Sequence, residues 1–133
     1  MAVVVGYVPT PEGRAALRQA AVECRLRGVG LVVVRSFKSK DPRPAEPDDD
    51  LQAVLGELGS GGIETEVRDL REGRDPVGDI LRAAEDEAAE VIVIGLRRRS
   101  PVGKLILGDK AQRVLLDSPC PVLAVKAGDG RRS

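Results

Sequence analysis

The 133-residue chain contains no histidine. That removes the side chain whose ordinary pKa lies nearest neutrality, and with it the commonest metal ligand. Ser–His and Cys–His nucleophilic dyads therefore cannot be assembled within one chain. Aromatic residues make up only 2% of the sequence, too few for a platform on which single-stranded nucleic acid would stack. An excess of one charge is missing too, because 21 Lys and Arg balance 21 Asp and Glu. With no net field to attract DNA or an anionic membrane, neither nucleic acid nor membrane is expected as a partner, and any phosphate binding must be local. The two cysteines, Cys24 and Cys120, have neither metal-ligand spacing nor the density of a disulfide framework. They read as buried free thiols in a reducing compartment, with a redox switch as the alternative. The opening apolar run has no basic segment before it and is too short for a signal peptide or a membrane span, so the expected location is the cytoplasm.

What is present is a 42% apolar composition rich in Val, Leu and Ala, enough for one domain. Short valine-rich runs alternate with helical patterns. The runs at 2–8, 30–37, 63–70, 91–95 and 121–126 read as strands. The third, with Ile63, Thr65, Val67 and Asp69 on one face, has the polar alternation of a sheet edge. Between them lie helical patterns. The first has Thr10 as N-cap, Pro11 in the first turn and Gly28 as C-cap, with Ala15, Leu17, Ala20, Ala21, Cys24 and Leu26 toward the core. A second begins in the acidic run Asp48–Asp50 after a proline-rich loop, where negative charge suits a helix start. A third spans 76–90, with Ile80, Leu81, Ala84 and Ala88 inward, and a fourth spans 109–118, capped by Asp109. Strict alternation predicts a single-domain α/β fold over 1–126. Its five-stranded, mainly parallel sheet has helices on both faces, and residues 127–133 form a flexible tail. In such sheets ligands collect beyond the strand carboxyl ends, where strand order reverses. The ends of strands one and four, Val8 and Gly95, are the candidates for that crevice.

Between the fourth strand and the fourth helix lies the stretch GLRRRSPVGKLILGDK, residues 95–110. A strand running into a basic, glycine-bearing loop has the chemistry of a phosphate site. In this sequence context, GRDPVGDILRAAEDEAAEVIVIG at 73–95 resembles the third helix and fourth strand of the universal stress protein family, and LLDSPCPVLAVK at 115–126 is similar to that family's last segment. The resemblance covers residues 2–126 in order. It implies the adenine-nucleotide-binding variety of α/β fold, and ATP or AMP as ligand. It also implies a homodimer built through the last strand, Pro121 to Lys126, and backbone contacts to adenine near Val33 and Val34. The family's motif, G-x-x-G, nine residues, then G followed by Ser or Thr, falls on Gly95, Arg98, Gly108 and Asp109. Its spacing is intact, but an arginine replaces the second glycine and an aspartate replaces the hydroxyl. Where nucleotide-binding members carry an aspartate at the end of strand one, this chain has Val8.

Arg98 puts a side chain where backbone would approach the anion, yet its guanidinium can itself grip phosphate. Asp109 only accepts hydrogen bonds. At about 4 Å from a phosphate charge and an effective dielectric near 20, it costs roughly 4 kcal/mol, comparable to the whole binding energy of a ~1 mM ligand. Arg97, Arg98, Arg99, Lys104 and Lys110 oppose it, leaving a net +4 across 97–110. Either these cations outweigh Asp109 and a phosphate binds, or Asp109 pairs with Arg98 or Lys110 and the loop satisfies itself. The candidate site is thus Val8, Val33, Val34, Gly95, Arg97, Arg98, Gly108, Asp109 and Lys110, in a basic loop weakened for ATP. Three function classes follow. They are a dimeric regulatory stress-response module, a nucleotide sensor, and an enzyme such as a slow ATP hydrolase. The last has only carboxylates such as Asp109 for acid–base work near the loop, and no metal site is expected.

Overall fold

Valine-rich runs supply the strands at the centre of the sheet. The computed structural model describes residues 1–36, 48–70, 75–96 and 108–127. In chain order the elements are β1 (Ala2–Tyr7), α1 (Pro11–Arg27), β2 (Gly30–Ser36), α2 (Asp49–Ser60), β3 (Thr65–Leu70), α3 (Pro76–Asp86), β4 (Ala89–Leu96), α4 (Asp109–Asp117) and β5 (Val122–Lys126). The five strands form one sheet in the order β3-β2-β1-β4-β5, and every pairing is parallel. The chain leaves β3 at one edge, crosses behind β2 and β1, and re-enters at β4. Strand order therefore reverses between β1 and β4.

Side chains alternate across the pleat into two cores. Val3, Val5, Tyr7, Val33 and Val93 pack with α1 and α2 on one face. Val4, Val32, Val34, Ile92 and Ile94 pack with α3 and Val114 of α4 on the other. Each fully buried aliphatic side chain contributes roughly 1.5–3 kcal/mol of transfer free energy, which is why β1, apolar on both faces, sits in the middle. β3 lies at an edge, as its polar alternation predicts. Cys24 belongs to the first core and Cys120 borders the second, so the sheet separates the two free thiols. Burial pushes the Cys24 thiol up to about 11, leaving it protonated and inert at neutral pH. Cys120 is only half-buried.

Two helix faces differ from the expected pattern. In α1 the buried positions are Gly13, Ala16, Leu17, Ala20, Ala21 and Cys24, while Leu26 is 76% exposed. Leu26 lies nine residues past Leu17, about 180° around the helix, so it points away from the sheet. In α3 the core positions are Val77, Ile80, Ala83 and Ala84. The helix stops at Asp86 rather than running to residue 90. Ala88 turns left-handed with φ 49°, is exposed, and lets β4 start at Ala89. Among the described residues no helix is long and apolar enough to cross a membrane.

Candidate functional site

All five strands point their carboxyl ends the same way, and each helix between them returns antiparallel. The amino ends of α1 and α4 therefore come to the edge where the β1–β4 crevice opens. Thr10 caps α1 by accepting the Gly13 N–H at 3.1 Å, and its own N–H donates to the Val8 carbonyl at 2.8 Å. Pro11 starts the helix with its φ pre-set. The first turn then presses into the crevice. A Cβ on Gly13 would stand 1.8 Å from the Val8 carbonyl oxygen, and one on Gly95 would stand 2.4 Å from that of Glu12. Both glycines are there because backbone meets backbone. Val8 and Gly95 are thus brought together on either side of the Glu12–Gly13 peptide.

Gly95 therefore has a packing reason independent of any ligand, alongside its place in the motif. Glu12 and Gly13 were not singled out from the sequence. The available signal was a glycine inside an otherwise well-capped helix, where it costs about 1 kcal/mol relative to alanine unless something needs the space.

On the half of this edge formed by β1, β2 and β3, charges of the described residues pair with one another. Arg35 holds Asp69 through two bonds, 2.7 and 3.0 Å, and Arg14 lies 3.5 Å from Asp50. Asp48 caps α2, accepting the Leu51 N–H at 3.0 Å and a hydrogen bond from the Tyr7 hydroxyl. Burial alone would raise the Asp48 pKa. The bonds from Tyr7 and Leu51 and the charge of Arg35 outweigh it, holding the carboxyl below its ordinary range. Burial first, then the bond to and charge of Asp48, push the Tyr7 phenol well above its ordinary value. Tyr7 is 1% exposed, so it braces α2 against β1 and does not line the crevice. Val33 and Val34 lie inside β2, in register with Val5 and Gly6 of β1 and with Val67 and Arg68 of β3. Their peptides join ladders on both sides and their side chains are buried. What β2 carries toward the carboxyl edge is Arg35.

The β4–α4 side is different. Gly95 and Leu96 close β4, half-buried. Arg97 and Arg98 lie outside the described residues, as do Arg99 and Lys104. α4 begins after Gly108, which is its N-cap and provides no side-chain cap bond. Asp109 is the first helical residue rather than the cap, because the chain enters the helix one residue earlier than expected. Its carboxylate is exposed, as is Lys110. Among the described residues no ion pair joins Asp109 to Lys110. Exposure also changes the magnitude of the repulsion. With water close by, the roughly 4 kcal/mol expected at 4 Å falls toward about 1 kcal/mol. A carboxylate in the first turn remains favourable to the helix dipole while disfavouring an anion there.

This arrangement defines a class: a doubly wound parallel α/β domain whose switch-point crevice is flanked by two helix amino ends. The sequence profile of the universal stress protein family matches residues 1–126. A universal stress protein from Mycolicibacterium smegmatis is 41% identical over 127 residues, covering 93% of this chain and 96% of that one. Among solved structures, a universal stress protein from Archaeoglobus fulgidus is 36% identical with a TM-score of 0.71, covering 95% of this chain and 98% of its own. A structure of the universal stress protein from Archaeoglobus fulgidus in complex with dAMP is 31% identical with a TM-score of 0.67, at the same coverage. The chain belongs to the universal stress protein family.

Proposed function

We propose that the chain is a cytoplasmic, self-associating stress-response regulator in which the β1–β4 crevice is an adenine-nucleotide site weakened for ATP. The observation that carries this reading is the exposed carboxylate of Asp109 in the first turn of α4, directly after Gly108. It favours the helix dipole without any ligand and repels phosphate where the family motif has a hydroxyl. Two further features support the weakening: Val8 replaces an acid at the end of β1, and Gly95 is occupied in packing against Glu12. The chain has no histidine to serve acid–base chemistry there, which favours a regulatory role over an enzymatic one.

The second reading is a nucleotide sensor that uses residues 95–110, and one observation favours it. The amino ends of α1, α2 and α3 are closed by Thr10, Asp48 and Asp75, whereas α4 has no side-chain cap. Uncapped helix N–H groups suit an anion, and a 31% identical relative is described in complex with dAMP. A monophosphate brings less charge toward Asp109 than a triphosphate does, so the two readings meet in a preference for AMP over ATP.

Mass spectrometry of small molecules released from purified, undialysed protein, followed by thermal shift with AMP and with ATP, tests this. The expected result is no retained ATP and a larger upward shift with AMP than with ATP at equal concentration. Stoichiometric co-purified ATP would overturn the weakened-site reading in favour of the sensor.

A further inference from the structure

Arg113 stands among three carboxylates and serves one of them. It grips Asp75, the N-cap of α3, through bonds of 3.2 and 2.9 Å. Asp117, four residues further along α4, acts on it only through its charge. Asp109 lies four residues back, at the first position of the helix. Residues four apart share one face of a helix, with about 5–6 Å between their Cβ atoms. An acid followed at that spacing by a base is the favoured order for a helical ion pair. Here it is not made. Among the described residues the ion pair of Arg113 is with Asp75, and Asp109 has none.

The amino end of α3 is shaped to hold that guanidinium. Asp75 accepts the Val77 N–H at 3.2 Å and a bond from the Gly78 N–H. A Cβ on Gly78 would stand 3.0 Å from a carboxylate oxygen of Asp75, so the absence of a side chain lets the carboxylate sit over the helix end. The bond from Arg113 holds the Asp75 carboxyl below its ordinary range. Both side chains nevertheless stay wet, Arg113 at 50% and Asp75 at 53% exposure. A solvated pair of this kind adds little to stability, and so it exchanges partners at little cost.

We propose that Asp75 sets the phosphate affinity of the α4 amino end by withholding Arg113 from it. With Arg113 on Asp75, Asp109 keeps its full charge beside the uncapped N–H groups of α4. Turned back along its own helix face, the guanidinium meets Asp109 and offsets that charge. Its fork of donors then leaves N–H groups over for a phosphate. Lys110 is exposed, but the next residue along a helix does not face its neighbour. The proposal carries a sign that a mere prop would not. If the pair only held α4 in place, breaking it from either end would weaken phosphate binding. If Asp75 withholds Arg113, removing the charge of Asp75 strengthens binding, and removing Arg113 does not.

This inference rests on the anion site proposed above at residues 95–110, and the test separates the two. ATP is titrated calorimetrically into the full chain as wild type, Asp75→Asn, Arg113→Gln and the double variant. A salt concentration of about 0.15 M limits the reach of distant charges to roughly 8 Å. Asparagine caps a helix as well as aspartate does, so all four proteins should melt at similar temperatures. Asp75→Asn is expected to tighten ATP about fivefold, the effect of one charge ~4 Å away across water. Arg113→Gln should bind no tighter than wild type, and the double variant should lose the gain. Equal or weaker binding in Asp75→Asn would overturn the inference. So would a gain that survives in the double variant, because it would come from the lost Asp75 charge alone. Low-micromolar binding by the wild type would overturn only the weakened-site reading, since the order of the four affinities still decides the role of Asp75. No binding by any of the four would overturn both.

Discussion

The amino ends of α1 and α4 reach the same edge of the sheet, yet one is closed by a capping side chain and, among the described residues, the other is not. At α1, Thr10 caps the helix, Pro11 starts it, and Gly13 and Gly95 let its first turn touch the Val8 carbonyl just past β1 and the backbone of β4. Nothing larger fits. At α4 the cap is Gly108, among the described residues no side chain caps the helix end, and the first residue is an exposed aspartate. A glycine is present at both ends for unlike reasons. Around Gly108 an added Cβ would meet nothing within 4 Å, whereas at Gly13 and Gly95 it would collide with carbonyl oxygens. The first end is built for packing, and the second, among the described residues, is not.

The largest effect expected from breaking this contrast is at α1. Gly13→Ala should destabilise the fold by about 3 kcal/mol or more, because a methyl group cannot share space with the Val8 carbonyl. Chemical denaturation measures this directly. Gly95→Ala sharpens the comparison, since it should also lower stability without any ligand present. Unchanged stability would mean that Gly95 serves only a ligand. Next in size is Asp109→Ser, which should tighten ATP about tenfold, or ~1.4 kcal/mol, while slightly lowering the melting temperature as the favourable charge on the helix dipole is lost. Thr10→Ala should cost about 1 kcal/mol in the same denaturation experiment. Smallest is Gly108→Ser. It adds a cap to α4 in open space and should stabilise by a few tenths of a kcal/mol.

Where pattern and physics coincide, the sequence is legible. The valine runs, the alternation of strand and helix, Thr10 and Gly28 as caps, and β3 at an edge all follow from periodicity and turn chemistry, and the structure has them. The failures have particular causes. Ala88 is a strong helix former placed in a left-handed turn, so propensity extends α3 past its end. Leu26 is apolar on the wrong side of α1, and composition alone does not separate it from Leu17. Asp48, which caps α2 through the Leu51 N–H, also accepts from the Tyr7 hydroxyl, 41 residues away, and no local pattern encodes that pairing. The site is harder still. Motif spacing identified Gly95 and Gly108 but not that the first is enclosed and the second open, and it set Asp109 as a cap when it is the first helical residue. Those distinctions arise only when α1 and α4 are laid on the same sheet.

Parallel calorimetric titrations of ATP into the wild-type protein and Asp109→Ser measure the repulsion at α4 itself. The expected result is wild-type affinity weaker than low micromolar and a gain of about tenfold in the variant. Low-micromolar binding by the wild type, or identical affinities in the two proteins, would contradict it.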